Sequence, residues 1–314
     1  MFEEHLASMR MPDDPDQLYA PIRYALGEGG KRMRPTLLLL ACNAFGGDLA
    51  AALDAATAIE IFHNFTLLHD DIMDNAAVRR GRPSVYAKWG GNAAILSGDA
   101  MIINAYANLQ RVPANALPRV MEAFNTMAAQ VCEGQQYDMD FERRDKVSVV
   151  DYMHMIELKT SVLLSGATTI GAMLAGASDE DIKRLYRFAI ELGLAFQLQD
   201  DLLDSYGDER LGKKIGGDIL EGKQTFLMVT AMANGSKEQR EVLRTTARRE
   251  DMTPEQKIAT VKALYDELEI PRLTEQQINV RFARATAMLD TLSVPAEHTL
   301  ALRTYAESLM GRKK

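Results

Sequence analysis

The chain has little cysteine, no long apolar run and no low-complexity segment, and each lack excludes something. Only Cys42 and Cys132 are present among 314 residues. They are far apart and lack metal-ligand spacing, so neither a disulfide framework nor a thiolate metal site is expected; both read as buried free thiols. The run 37–42 (LLLLAC) is far short of the roughly 20 apolar residues that span a bilayer. The start, Met1-Phe2-Glu3-Glu4-His5, lacks a signal peptide's basic region and apolar middle, so a cytoplasmic location is expected. No Pro/Gly/Ser-rich linker interrupts the composition, which favours one domain over 1–314. A formal net charge of −8 argues against a general nucleic-acid surface, and it would repel anionic substrates unless basic groups or metals are gathered locally. No alternating run of β-branched residues marks a strand, and no Ser/His/Asp triad or activated cysteine is visible.

What the chain has is helical periodicity. Composition is 47% hydrophobic and 25% charged, enough for a substantial core. Apolar residues recur at three- and four-residue spacing, which predicts helices over 35–45, 49–74, 92–109, 118–141, 148–175, 178–204, 225–234, 237–249, 254–268, 272–292 and 296–310. Ser178-Asp179-Glu180-Asp181 and Thr253-Pro254-Glu255 read as helix starts, each with a cap and early acidic residues. The expected fold class is all-α: a large helical bundle whose sites are built from side chains on facing helices around a central cavity.

Two aspartate pentads stand out: Asp70-Asp71-Ile72-Met73-Asp74 and Asp200-Asp201-Leu202-Leu203-Asp204, each preceded by an apolar helical approach. On a helix, positions i and i+4 share a face, which sets Asp70 beside Asp74 and Asp200 beside Asp204. Both pentads fall near predicted helix C-termini, where each anion is unfavourable by roughly 0.3–1 kcal/mol. Paired carboxylates held against that cost suit a hard cation such as Mg²⁺, which takes oxygen ligands from one or two carboxylates and from substrate phosphates.

Basic clusters supply the counterpart. In Gly29-Gly30-Lys31-Arg32-Met33-Arg34-Pro35, glycines permit close backbone approach, and Lys31 and Arg34 share a face at a loop-to-helix junction. Arg79-Arg80-Gly81-Arg82-Pro83 closely follows the first pentad. The run 212–218 (GKKIGGD) through Lys223 follows the second. Guanidinium forks and ammonium groups beside metal-binding carboxylates fit a diphosphate.

Taken together, GGKRMRP, HNFTLLHDDIMD, RRGRP, GQQYDMD, KTS and FQLQDDLLD…KKIGGD resemble the trans-isoprenyl diphosphate synthases of the polyprenyl synthetase family. The resemblance implies the isoprenoid synthase fold, normally as a homodimer. It implies a head-to-tail condensation of isopentenyl diphosphate with an allylic diphosphate (dimethylallyl, geranyl or farnesyl). Asp70, Asp74 and Asp200 would bind a cluster of three Mg²⁺, for which Mn²⁺ can substitute, with Asp71, Asp201 and Asp204 in support. Arg79, Lys159, Lys214 and Lys223 would hold the allylic diphosphate; Lys31, Arg34, His63 and Arg80 would hold isopentenyl diphosphate. Thr160 and Gln197 would lie beside the reacting carbons, and Asp138 would order metal-bound water or a lysine. Phe65 lies five residues before Asp70, about 7 Å along the helix, with the smaller Thr66 next to it. By the family pattern this points to a C15–C20 product, leaning towards geranylgeranyl diphosphate, with longer chains as the alternative. A class I terpene cyclase would share the first pentad but usually has an Asn/Ser/Glu triad in place of the second. A regulatory subunit of a heteromeric synthase would often lose the pentads.

Overall fold

The computed structural model describes residues 1–27, 29–144, 146–207 and 215–311. Its secondary structure is helical apart from one two-stranded hairpin. In chain order the helices are α1 (Phe2–Ser8), α2 (Asp16–Gly27), α3 (Met33–Ala44), α4 (Leu49–Met73), α5 (Val85–Trp89), α6 (Gly91–Leu109), α7 (Leu117–Phe141) and α8 (Val149–Ile156). They continue as α9 (Val162–Leu174), α10 (Asp179–Tyr206), α11 (Gly217–Glu221), α12 (Phe226–Asn234), α13 (Lys237–Thr246), α14 (Pro254–Glu267), α15 (Ile270–Leu289) and α16 (Ala296–Met310). No helix among the described residues is long and apolar enough to cross a membrane.

The chain divides into two compact units. The first comprises Met1–Thr126, Gly166–Lys183 and Ser293–Leu302. Its centre is α4, which packs against α3 and α6. The Asp48 side chain caps α4 by accepting from the Ala50 N–H at 2.9 Å. Beyond it, small residues such as Ala52, Ala55, Ala56 and Ala58 are fully buried, so neighbouring helices approach closely. The second unit comprises Met127–Ser165, Arg184–Leu292 and Arg303–Lys314. In it α12 packs against α8, α13 and α15, and capping boxes start α8 (Ser148 with Asp151), α13 (Ser236 with Gln239) and α14 (Thr253 with Gln256).

Four features differ from the sequence-based expectation, the first being that Cys132, expected to be buried like Cys42, is exposed. The helix predicted over 148–175 is interrupted by a π-helical segment, Glu157–Ser161. The short helices α1, α2, α5 and α11 were absent from that reading. Residues Val78–Arg79 and Arg82–Pro83 pair as antiparallel strands β1 and β2. Arg80 (φ 52°) and Gly81 (φ 75°) form their turn, and two consecutive positive φ values are what a tight type I′ hairpin requires. A hairpin of two-residue strands is too short to show alternation, so its arginine-rich sequence read only as a loop.

Candidate active site

Both pentads end their helices. Asp74 is the C-cap of α4, and Asp204 lies in the last turn of α10. Each pentad divides into one buried aspartate and its more accessible neighbours. Asp71 and Asp201 are buried, whereas Asp70, Asp200 and Asp204 are partly accessible and Asp74 is exposed.

In the first unit the hairpin folds Arg79 back onto the pentad. Arg79 donates to Asp71 Oδ1 from Nε (2.9 Å) and Nη2 (2.6 Å), and to Asp70 Oδ2 at 3.3 Å. Burial works against the Arg79 charge, but the hydrogen bonds and charges of Asp71 and Asp70 outweigh it and raise its pKa. Burial also pushes the Asp71 carboxyl up, with Asp70 and Asp74 adding to the rise. The short two-donor contact keeps the Arg79–Asp71 pair ionised.

Next to it is a cationic cluster from three segments. Arg80 donates to the Gly29 carbonyl at 2.6 Å. Arg34, in the first turn of α3, donates to His63 Nε2 at 3.0 Å. Burial, then Arg34 and Arg80, hold the His63 pKa well below the ordinary imidazole value, so His63 is neutral and accepts that bond. Burial lowers Arg34 to about 10, which leaves it cationic at neutral pH. Its Nε is buried and has no hydrogen-bond partner among the described residues. Lys31 is exposed on the turn that leads into this cluster. The four residues assigned from sequence to isopentenyl diphosphate therefore sit on one turn, two helices and one hairpin of a single unit. Arg32 points elsewhere, into a buried ion pair with Glu60 at 2.7 Å. Tyr24 fastens the hairpin to α2: its hydroxyl donates to the Pro83 carbonyl at 2.9 Å, and the Arg82 guanidinium lies 4.1 Å from its ring centre.

In the second unit the π segment carries Lys159 and Thr160. Lys159 Nζ donates to Asp138 Oδ2 at 2.6 Å. Thr160 donates to Gln197 Oε1 at 3.0 Å, and Gln197 Nε2 donates to Asp201 Oδ1 at 3.0 Å. Asp201 Oδ2 accepts from the Tyr152 hydroxyl and from the Phe226 N–H. One hydrogen-bonded chain thus runs from the KTS segment to the second pentad. Burial pushes the Asp201 carboxyl up to about 6 against these donors. Gly134 makes the crossing of α7 over the π segment possible, because a Cβ there would stand 2.3 Å from the Lys159 backbone nitrogen. Neither the π turn nor Tyr152 was foreseen from the sequence; helical periodicity continues through both.

Asp204 accepts from the Asp218 N–H at 3.1 Å. Burial, then the charges of Asp204 and Asp201, raise the Asp218 carboxyl to about 7. Lys223 pairs with Glu221 at 3.1 Å and has its N–H on the Asp218 carbonyl. Lys214 lies outside the described residues. Among the described residues, no three His, Cys, Asp or Glu side chains converge into a metal cage. The donor set still fits Mg²⁺: in each unit the groups are carboxylate oxygens without thiolates, and burial first, then neighbouring carboxylates of the same unit, raise Asp71 in the first and Asp201 and Asp218 in the second.

A stability prediction follows from Asp218. Its folded pKa is raised, so its carboxyl stabilises the fold least when ionised; that loss is complete above about pH 7 and absent below about pH 4. After discounting for partial exposure and coupling to Asp204, the cost is on the order of 1 kcal/mol. In metal-free buffer at pH 8, Asp218→Asn is expected to raise the melting temperature by ~2–4 °C. The gain should shrink towards pH 4, and a melting temperature equal to wild type at pH 8 contradicts it.

Fold and site together define a helical prenyltransferase. The chain belongs to the polyprenyl synthetase family, whose model matches residues 15–268. Geranylgeranyl diphosphate synthase of Methanosarcina mazei is 45% identical over 227 residues, 71% of this chain and 70% of the relative. A crystal structure of a geranylgeranyl pyrophosphate synthase superposes with a TM-score of 0.94 at 42% identity, covering 100% of this chain and 97% of that one. The geranylgeranyl pyrophosphate synthetase of Pyrococcus horikoshii Ot3 gives 0.92 at 31% identity, covering 99% and 95%. The all-α isoprenyl synthase fold expected from sequence is borne out.

Proposed function

We propose that the protein condenses isopentenyl diphosphate head-to-tail with an allylic diphosphate, releasing pyrophosphate, and extends the chain to geranylgeranyl diphosphate. The observation that carries this reading is the gathering of Arg34, neutral His63 and Arg80 around the Gly29–Gly30 turn, a metal-independent anion site beside a carboxylate ridge.

By the family resemblance Asp70, Asp74 and Asp200 would hold the Mg²⁺ ions, three in all, with Asp204 in support. Bound there, Mg²⁺ supplies Lewis-acid stabilisation of the negative charge that grows on a departing diphosphate. Asp71 and Asp201, committed to Arg79 and to Tyr152, Gln197 and Phe226, orient their neighbours. Arg79, Lys159, Lys214 and Lys223 bind the allylic diphosphate oxygens. The allylic C–O bond breaks with its electron pair leaving on the diphosphate. The isopentenyl double bond then attacks the allylic carbon, and the proton lost in forming the new double bond passes to the released pyrophosphate. Lys31, Arg34, His63 and Arg80 position that double bond through its diphosphate. Thr160 and Gln197, hydrogen-bonded to each other, present oxygen dipoles to the cationic carbons. Asp138 holds the Lys159 ammonium in place.

Support for a C20 product comes from the two geranylgeranyl synthases above and from Phe65, which is packed between Phe62 (ring centres 5.5 Å apart) and His69 (4.7 Å). We also propose that 1–314 acts as one catalytic domain, since the family model runs through residues of both units. Homodimerisation through α6 is supported by Ile95, Leu96 and Ile103, which α6 leaves exposed on one face. The test is incubation of the purified protein with Mg²⁺, isopentenyl diphosphate and each allylic primer, with chromatography of the dephosphorylated products. Geranylgeraniol as the main product supports the reading; a cyclic hydrocarbon, or no elongation, overturns it.

A further inference from the structure

Within the KRMR run, Arg32 is turned away from its neighbours. Its backbone is left-handed (φ 44°, ψ 39°), a region that ordinary side chains avoid, and it precedes α3 without capping it. Its fork reaches three segments at once. Nη1 donates to Glu60 Oε1 on α4 at 2.7 Å, Nη2 to the Leu26 carbonyl at the end of α2 at 2.8 Å, and Nε to Glu3 on α1 at 2.8 Å. Arg32 and Glu60 are 9% and 2% exposed, whereas Glu3 is 64% exposed, so the contact with Glu60 is the protected one. Asn64 Nδ2 donates to the same Glu60 oxygen at 3.1 Å and fixes that carboxylate from the next turn of α4. The turn held this way carries Lys31 and Arg34, and its Gly29 carbonyl holds Arg80. His63, the partner of Arg34, stands three residues after Glu60 on α4.

We propose that Arg32 is a positioning residue for the isopentenyl diphosphate site: paired with Glu60, it pins the 29–34 turn to α4 and sets the spacing of Lys31, Arg34, His63 and Arg80. The proposal rests on the function given above. A lysine keeps the charge at 32 but cannot reach three acceptors in one plane.

The test is steady-state kinetics, with both substrates varied, on Arg32→Lys and on the double variant Arg32→Met with Glu60→Met, which removes the pair without stranding a buried charge. The KM for isopentenyl diphosphate should rise about tenfold or more in both, since small misplacements of binding groups are costly. The KM for farnesyl diphosphate and kcat at saturating isopentenyl diphosphate should stay within about twofold, and Glu3→Gln should change none of these by more than that, because its ion pair is exposed. A folded double variant with an unchanged KM for isopentenyl diphosphate overturns the proposal, as does a double variant that no longer folds, since the pair would then serve stability alone. Absence of elongation by the wild-type protein defeats the functional reading instead.

Discussion

Asp70→Asn and Asp200→Asn should each cut turnover by ~10³-fold or more, the loss expected when several kcal/mol of charge stabilisation on the leaving diphosphate disappears. The variants should remain folded. Both positions lie near the C-terminal ends of their helices, where a carboxylate opposes the helix dipole, so removing the charge is expected to be neutral or to stabilise the metal-free protein by up to ~1 kcal/mol. The bond from Arg79 to Asp70 is long, at 3.3 Å, and Arg79 keeps its two bonds to Asp71, so the hairpin stays docked. Asp71→Asn is different: it removes the charge beneath Arg79 and should cost stability as well as activity. Kinetics at saturating substrate, run beside thermal melts in EDTA, check both halves. Turnover within tenfold of wild type in both Asp70 and Asp200 variants contradicts the role given to the pentads.

The second large effect concerns product length. Phe65→Ala should move the main product from C20 to longer chains, because it removes an aromatic ring about 7 Å before the first aspartate along α4. The same change leaves a hole beside Phe62 and His69, and truncation of a buried phenylalanine costs ~3–5 kcal/mol. A lower melting temperature should therefore accompany the longer product. Thr66, whose hydroxyl bonds back to the His63 carbonyl at 2.7 Å, leaves no comparable ring at the neighbouring position. Chromatography of the prenyl alcohols decides the matter. A destabilised variant that still makes only geranylgeranyl diphosphate would confine Phe65 to core packing.

Much of this was readable in the sequence, and the reasons are physical. Long helices such as α4, α6 and α16 announce themselves because their buried faces repeat over many turns; the expected 49–74, 92–109 and 296–310 lie within one residue of the observed ends. The pentads were legible because three carboxylates at a helix end are improbable without a cation. What escaped depends on contacts across the chain. The hairpin that turns Arg79 inward and Arg80 towards Gly29 spans six residues, too few for periodicity to show. The π turn at 157–161 lies where Gly134 lets another helix approach closely, and nothing within the KTS segment itself signals it. The sequence set Arg34 beside Lys31 but gave Arg32 no partner. Only the structure shows Arg32 buried against Glu60 and Arg34 against His63. The resemblance gave Asp71 and Asp201 a supporting part, and their burial supplies the physical difference from their neighbours.

The division of labour between metal-dependent and metal-independent diphosphate sites is tested most directly by equilibrium binding of each substrate alone, with and without Mg²⁺. The probes are isopentenyl diphosphate and a thiolodiphosphate analogue of farnesyl diphosphate that does not ionise. The account predicts that EDTA weakens binding of the farnesyl analogue by ~100-fold or more, and that Mg²⁺ restores it. Isopentenyl diphosphate, which the proposal assigns to Lys31, Arg34, His63 and Arg80, should bind within about twofold in either buffer. Equal affinity of the farnesyl analogue in EDTA and in Mg²⁺ would contradict the central claim that the paired aspartates grip the allylic diphosphate through metal.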